Sequence, residues 1–323
     1  MTKPTIVIAD LTAGAGRCAK IWPAARKALD AHFPGHDRWI AGPDQSIGDL
    51  TEKAARAGAG LIIIAGDTGT ANEAADALLA NGLAGENGPV LGFVPAGAGS
   101  DLAHSLRLTG STETIVGLLS AGEDRMLDAG RLQFAGPDGR QKSRHVFNIA
   151  NLGVSAVIAR RSAQSVLNRL ASVHMVFFLE ALLALVRFRY PQVRISADGQ
   201  VPFECAIAEI VIANGRIYGG GMAIAPDADM EDGMLDVVVI TGVSKLQLLD
   251  QMDKIYNGAH RTSPYVKMLR TKGLTIETLA GRGKTAELVI DGVPCGQTPV
   301  RADILPRALK VRCGAAAPSV IRT

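Results

Sequence analysis

Aromatic side chains make up only 4% of the 323 residues, with two tryptophans and four tyrosines, so little ring stacking is on offer. The four cysteines, Cys18, Cys205, Cys295 and Cys313, lie far apart and form no C-x-x-C pair. With no secretory signal at the N-terminus, they read as reduced, mostly buried thiols of a cytosolic protein, not as a disulfide frame. Nor does their spacing suit a zinc site. The formal net charge is +3, and the densest basic stretch, residues 187–194, is broken by apolar residues. That balance argues against a dedicated nucleic-acid binder. The longest apolar run, "VHMVFFLEALLALV" at 173–186, contains His174 and Glu180. It falls short of the ~20 residues that a membrane span needs, which leaves contact with a membrane surface open. A Walker lysine loop is missing, and no glycine-rich turn carries a dinucleotide fingerprint with its acidic partner. No repeat of fixed period and no low-complexity linker appears.

What is present reads as globular. The chain is 47% apolar and 20% charged, holds 36 glycines, and is long enough for two domains with separate cores. In the first half, strand and helix alternate. "TIVIAD" at 5–10 is a β-branched run that leads into the small-residue turn "LTAGAGR", and residues 19–33 have helical composition. "LIIIA" at 61–65 is a continuous apolar run of the kind buried in a parallel sheet. A Gly-Asp-Thr-Gly-Thr turn follows it, then good helix formers from 70 to 79. "VLGFVPAGAGSDLAHSL" repeats the scheme, with Ser100 and Asp101 placed to cap a helix. Three such units in a row predict an α/β domain with a parallel sheet over residues 1–130. Ligands in such folds bind at the carboxyl ends of the strands, where all three turns lie.

From about Arg131 the pattern turns to strands. "RLQFAGPDGRQKSRHVFNIANLGV" is two strands around a Pro-Asp-Gly turn. Asp198-Gly199 and Asn214-Gly215 separate alternating runs. "GMLDVVVIT", "GLTIETL", "AELVIDGVPC" and "ALKVRC" continue the series, and only 167–188 and 244–257 read as helical. Residues 131–323 therefore read as a mainly antiparallel sandwich or open barrel. A strand that ends in a glycine-rich turn at a helix start is an anion site by geometry, because free amides and the helix dipole both favour negative charge. One such turn is as easily only a tight turn; three that converge at one sheet edge favour the ligand.

The order "AGDTGTANE", "PAGAGSDLAHSL", "LDAGRL", "NGRIYGGGMAIAPDADMEDGMLDVVVI" and "IDGV" resembles the diacylglycerol kinase catalytic domain family. That family includes bacterial diacylglycerol and phosphatidylglycerol lipid kinases, sphingosine kinases and ceramide kinases. The resemblance runs along nearly the whole chain, and residues 219–236 are its most specific part. It implies an α/β N-terminal nucleotide-binding domain, NAD-kinase-like, followed by a β-sandwich domain, with the last residues returning to the first domain and the active site in the cleft. The family's Asn-Pro-x-Ser-Gly loop falls on 10–14, where only Gly14 survives. Its Gly-Gly-Asp-Gly-Thr, then x-Asn-Glu, falls on 66–73, with Asp67 at the second glycine and Thr68 at the aspartate. Its Pro-x-Gly-Thr-x-Asn-Asp-Phe-Ala falls on 95–103 and keeps Asp101. Its Asp-Gly-Glu falls on Asp291, Gly292 and Val293.

Carried over in this way, the resemblance implies an ATP-dependent transfer to a lipid hydroxyl. Backbone amides at Gly14, Gly66, Gly69 and Gly97 would hold the phosphates, helped by the Thr70 hydroxyl, with Asp67, Thr68 and Ser100 at the same site. Asn72 and Glu73 would either open a helix or touch adenine or ribose. Asp101 and Asp128, with Asp67, are the candidates for Mg²⁺ through water. Asp232 binds a structural cation or caps a turn, and Asp291 is the general base. The apolar segment 165–190 either borders a hydrophobic cleft, with Arg187 and Arg189 at anionic headgroups, or packs inside the second domain. The implied partner is a lipid at the inner face of the membrane, reached from the cytoplasm; no nucleic acid is expected, and an exposed sheet edge leaves room for a homodimer. Two other readings stand beside this one: a degenerate member that binds nucleotide or lipid without catalysis, and an NAD kinase.

Overall fold

The computed structural model describes residues 3–96, 100–164, 188–242, 247, 254–256, 258–279 and 285–314. Gly97, nearly all of the helix read at 167–188 and most of that at 244–257 lie outside them, although 254–256 are helical. The chain forms two compact units. The first comprises residues up to 129, the short segment Gly219–Gly221 and the chain from 306 onward; the second holds 130–218 and 222–305.

The first unit is built on β1 (Thr5–Ala9), β2 (Asp37–Ile40), β3 (Leu61–Gly66) and β4 (Val90–Pro95). β1 pairs with β2 and β3, and β3 with β4, all in parallel. Every residue of β3 and β4 is buried. Helices cover a parallel sheet on both faces, and for that reason "LIIIAG" carries no polar alternation. The helices are α1 (Ala13–His32), α2 (Ile47–Arg56), α3 (Thr68–Ala80), α4 (Asp101–Ser105) and α5 (Thr112–Ala121). α2 packs on α3 and α1 on α5. Side chains of Ser46, Asp67, Ser100 and Ser111 accept from backbone amides to cap the last four. α1 has no such cap, and Gly14, Ala15 and Gly16 are left-handed before its regular part begins. The pair β2–α2 escaped the strand-and-helix pattern above. Its signal was the capping box of Ser46 and Asp49, with Ile47, Leu50, Thr51 and Ala54 buried behind it.

In the second unit the strand pairings described below are antiparallel. β5 (Glu123–Ala135), in which the chain passes from the first unit, pairs with β6 (Gln141–Val146). β7 (Ile149–Gly153), α6 (Val154–Gln164), β8 (Gln192–Ala197) and β9 (Phe203–Ala213) follow. Then come β10 (Leu235–Thr241), β11 (Val266–Thr271), β12 (Gly273–Thr278), β13 (Glu287–Ile290) and β14 (Val293–Cys313).

The expected sandwich closes on itself. Pairings run from β9 to β7, β13, β14, β12, β8 and back to β9, with β10 added on β9 and β11 on β10. Closure depends on two long strands that change partner along their length. β9 pairs with β8 up to Ala206 and with β7 from Glu209, and β14 pairs first with β13, then with β12. One core cluster draws Leu152, Leu288, Val300, Ile276, Ile195 and Ile210 from all six ring strands. A second gathers Val211, Val238 and Ile240 under Ile224 and Ala225.

The end of β14 returns to the first unit, where Val311 pairs in parallel with Leu91 of β4. It also passes close to the end of α5: a Cβ on Gly122 would overlap the carbonyl oxygen of Cys313 and come within 2.7 Å of that of Leu118. Both obstacles are backbone, so neither can rotate away. Gly122→Ala should lower stability by about 2 kcal/mol, read as a shift of the urea midpoint at unchanged slope. An unmoved midpoint would show that this approach is not a constraint.

Candidate functional site

β1, β3 and β4 end level with one another, Ala9 opposite Ala65 and Gly66 opposite Pro95. Asp10 N donates to Ala65 O at 3.0 Å and Ala96 N to Gly66 O at 2.6 Å, so the three turns leave from one edge. In the first turn Asp10 Oδ1 accepts from Thr12 N (2.8 Å) and Thr12 Oγ1 (2.6 Å). The left-handed Gly14 lies so close to the third turn that a Cβ there would sit 3.3 Å from Ala96 O. In the second turn Gly66 lies flat under Thr70, where a Cβ would meet the threonine side chain at 2.5 Å.

Asp67 joins the turns. Its Oδ1 accepts from Thr70 N and Thr70 Oγ1, both at 2.9 Å, and so caps α3. Its Oδ2 accepts from Gly14 N at 2.9 Å, across to the first turn. Thr68 Oγ1 lies 3.4 Å from Ser100 Oγ of the third. Gly14, Gly66, Asp67, Thr68, Gly69, Thr70 and Ser100 thus come together at one edge of the first unit. Two carboxylates stand there, and they leave a mark on Cys18: burial chiefly, then Asp10 and Asp67, push its thiol up to about 11. Such a thiol stays protonated and inert at neutral pH.

Asn72 is fully buried, and Glu73 Oε1 accepts from Gly48 N at 2.9 Å, on the first turn of α2. Glu73 thus ties α3 to α2.

The aspartates assigned to a metal are also engaged with the protein. Asp101 accepts from Gly220 N (3.2 Å) and Gly221 N (3.0 Å), which ties the glycine run to α4. Burial raises its pKa, against the opposing pull of the glycine amides and of His104. Asp128 is fully buried in β5 and accepts from Arg307 N at 2.7 Å. Asp232, in the second unit, accepts from Met234 N at 3.0 Å and pairs with Arg270, so it caps a turn and the cation beside it is a guanidinium. Among the described residues no group of three or more His, Cys, Asp or Glu is placed to hold a metal ion. These carboxylates meet backbone amides or arginine instead of one another. Mg²⁺ takes hard oxygen ligands and keeps several waters, and carboxylates such as Asp67 and Asp101 suit it in donor chemistry.

Asp291 sits in the left-handed turn between β13 and β14, with φ +48°. Its carboxylate is 3% exposed and accepts from Phe147 N (2.7 Å), Asn148 N (3.0 Å) and Ile149 N (2.8 Å). Burial pushes it up to about 6 even though the three amides pull the other way. A second buried acid was missed by the motif reading. Glu209 of β9 accepts from Asn151 Nδ2 (3.2 Å), from Ser155 N (3.0 Å) and from the Ser155 hydroxyl, at the start of α6. Burial pushes it up to about 7. Its signal was a lone charge inside the apolar run "AIAEIVIA".

Level turns over parallel strands in one unit, and an antiparallel ring with a buried carboxylate in the other, make an α/β unit and a β unit. The family models agree: residues 4–132 match "Diacylglycerol kinase catalytic domain" and 148–313 match "YegS C-terminal NAD kinase beta sandwich-like domain". The chain belongs to the diacylglycerol kinase catalytic domain family. It is 27% identical over 278 residues to a diacylglycerol kinase of Mycobacterium tuberculosis, covering 84% of this chain and 82% of that one. It is 27% identical over 263 residues to a probable YegS-like lipid kinase of Chromohalobacter salexigens, covering 80% and 78%. A crystal structure of a putative diacylglycerol kinase from Bacillus anthracis shares its fold, with TM-score 0.72 at 20% identity, over 99% of this chain and 98% of that one.

Glu209, Asp236 and Asp291 each hold a proton more tightly folded than unfolded, since burial pushes them up to about 7, 6 and 6. Their contribution to stability is complete below about pH 4 and is lost as pH rises through 6 and 7. Wild type should therefore lose ground to Glu209→Gln between pH 5 and 8, by on the order of 3 kcal/mol for a shift from 4.5 to about 7. Urea midpoints of both proteins at each pH measure it; parallel pH profiles would mean that Glu209 is ionised throughout.

Proposed function

We propose that the chain is an ATP-dependent lipid kinase that transfers the γ-phosphate to a hydroxyl of a membrane lipid such as diacylglycerol, ceramide or a sphingoid base. The observation that carries this reading is the meeting of Gly14, the Asp67–Thr70 turn, Ala96 and Ser100 at one sheet edge. The lipid acceptor is supported by relatives that are called diacylglycerol kinase and probable lipid kinase. Among the described residues no helix is long and apolar enough to cross a membrane. The enzyme would meet its lipid at the inner membrane face from the cytoplasm.

Phosphoryl transfer asks the protein mainly for position and charge. Amides of the first unit's turns and the helix α3 dipole would hold phosphate oxygens. Mg²⁺ supplies charge neutralisation on those oxygens. In the second unit the three amides of 147–149 fix the Asp291 carboxylate in one orientation. Its pKa of about 6 leaves it ionised at neutral pH and basic enough to accept the lipid hydroxyl's proton as the new bond forms.

A second reading, binding without turnover, is favoured by Thr68. It stands where the family carries an aspartate, and its hydroxyl faces Ser100 with no charge to offer.

Transfer of labelled γ-phosphate decides between them. Diacylglycerol, monoacylglycerol, ceramide and sphingosine in micelles are run with and without Mg²⁺, with NAD alongside. One lipid should be labelled, and Asp291→Asn should cut kcat by about 10²–10⁴ while ATP still binds. Its melting temperature must be followed too, because Asn cannot accept from all three amides. Labelled NAD, or no labelled acceptor in a folded protein that binds ATP, would refute the kinase proposed here.

A further inference from the structure

The capping of α3 uses one oxygen of Asp67, and the other does something the helix does not need. Oδ1 alone takes both the amide and the hydroxyl of Thr70. Oδ2 reaches a residue 53 positions earlier in sequence, Gly14, and takes its amide at 2.9 Å. We propose that Asp67 is a built-in competitor for phosphate: its carboxylate fills the donors that the nucleotide must use, and nucleotide enters only as Oδ2 leaves Gly14. This inference rests on the nucleotide-binding reading above.

The chemistry of the contact supports it. A carboxylate and a phosphate seek the same partners, N–H groups at a glycine turn and at a helix start. Gly14 N and Thr70 N come from two different turns, so their meeting on one carboxylate marks a shared anion position, beyond an ordinary cap. Two like charges about 4 Å apart repel by roughly 4 kcal/mol at an effective dielectric of about 20, so carboxylate and phosphate cannot share it. Asp10, fixed on Thr12 at the same edge, adds a second negative charge. The first turn also has hydrogen bonds of its own, from Gly16 N to Thr12 O and from Arg17 Nε to Gly14 O.

The test separates capping from competition. In Asp67→Asn the amide oxygen still caps Thr70, but the other arm is a donor and cannot accept from Gly14. Asp67→Ser keeps a capping hydroxyl too short to reach Gly14. Calorimetric titration of wild type and both variants with ATP, and separately with tripolyphosphate, is run in EDTA so that no divalent ion bridges the charges. Melting temperatures from the same samples show that the variants are folded. Both variants should bind both ligands about tenfold more tightly than wild type, the worth of one charge-assisted hydrogen bond. Equal or weaker binding by the variants, with wild type binding ATP, overturns the competitor and leaves the nucleotide reading intact. Binding of neither ligand by any of the three proteins overturns both.

Discussion

A carboxylate drawn wholly or partly out of water takes its hydrogen bonds from whatever donors the fold can bring to it. In this protein the donors are backbone amides, and they come from far along the chain. Asp67 holds Gly14, Asp101 holds Gly220 and Gly221, Asp128 holds Arg307, and Asp291 holds the run from Phe147 to Ile149. Each bond fixes a turn against an element 53 to 179 residues away. The arrangement of turns at the sheet edge, the anchoring of the glycine run and the closure beside β13 all rest on such pairs. Asp67, Asp101 and Asp128, which the resemblance assigns to a metal, also act as clasps between distant turns.

That explains which parts were legible in the sequence. β3 was visible because an unbroken apolar run is what a doubly covered strand requires, and α4 because Ser100 and Asp101 announce a helix start. The level strand ends followed from the position of the turns. The partners of Asp101, Asp128 and Asp291 did not, because a one-dimensional pattern records that an acid is present and not which amide it will meet. Asp232 shows the same limit: a turn cap was foreseen, but the neighbouring cation belongs to Arg270, 38 residues on. The ring was hidden for another reason. Nothing in the period-two pattern of β9 or β14 says where along its length a strand changes partner.

The acids also differ between the units. In the first, Asp67 and Asp101 lie at turns and are only partly buried. Asp291 and Glu209 of the second are titratable near neutrality, since burial outweighs the amides around them.

β14 has one more implication, which concerns the order in which the molecule is made. Its last residues complete the sheet of the first unit by pairing with β4. During synthesis the N-terminal strands therefore emerge first yet wait for nearly the whole chain before β4 gains its outer neighbour. Until then β4, apolar throughout and open along one side, is a template for the wrong partner. Of the two units, the one whose strands are translated earlier is the one whose sheet waits for the later chain.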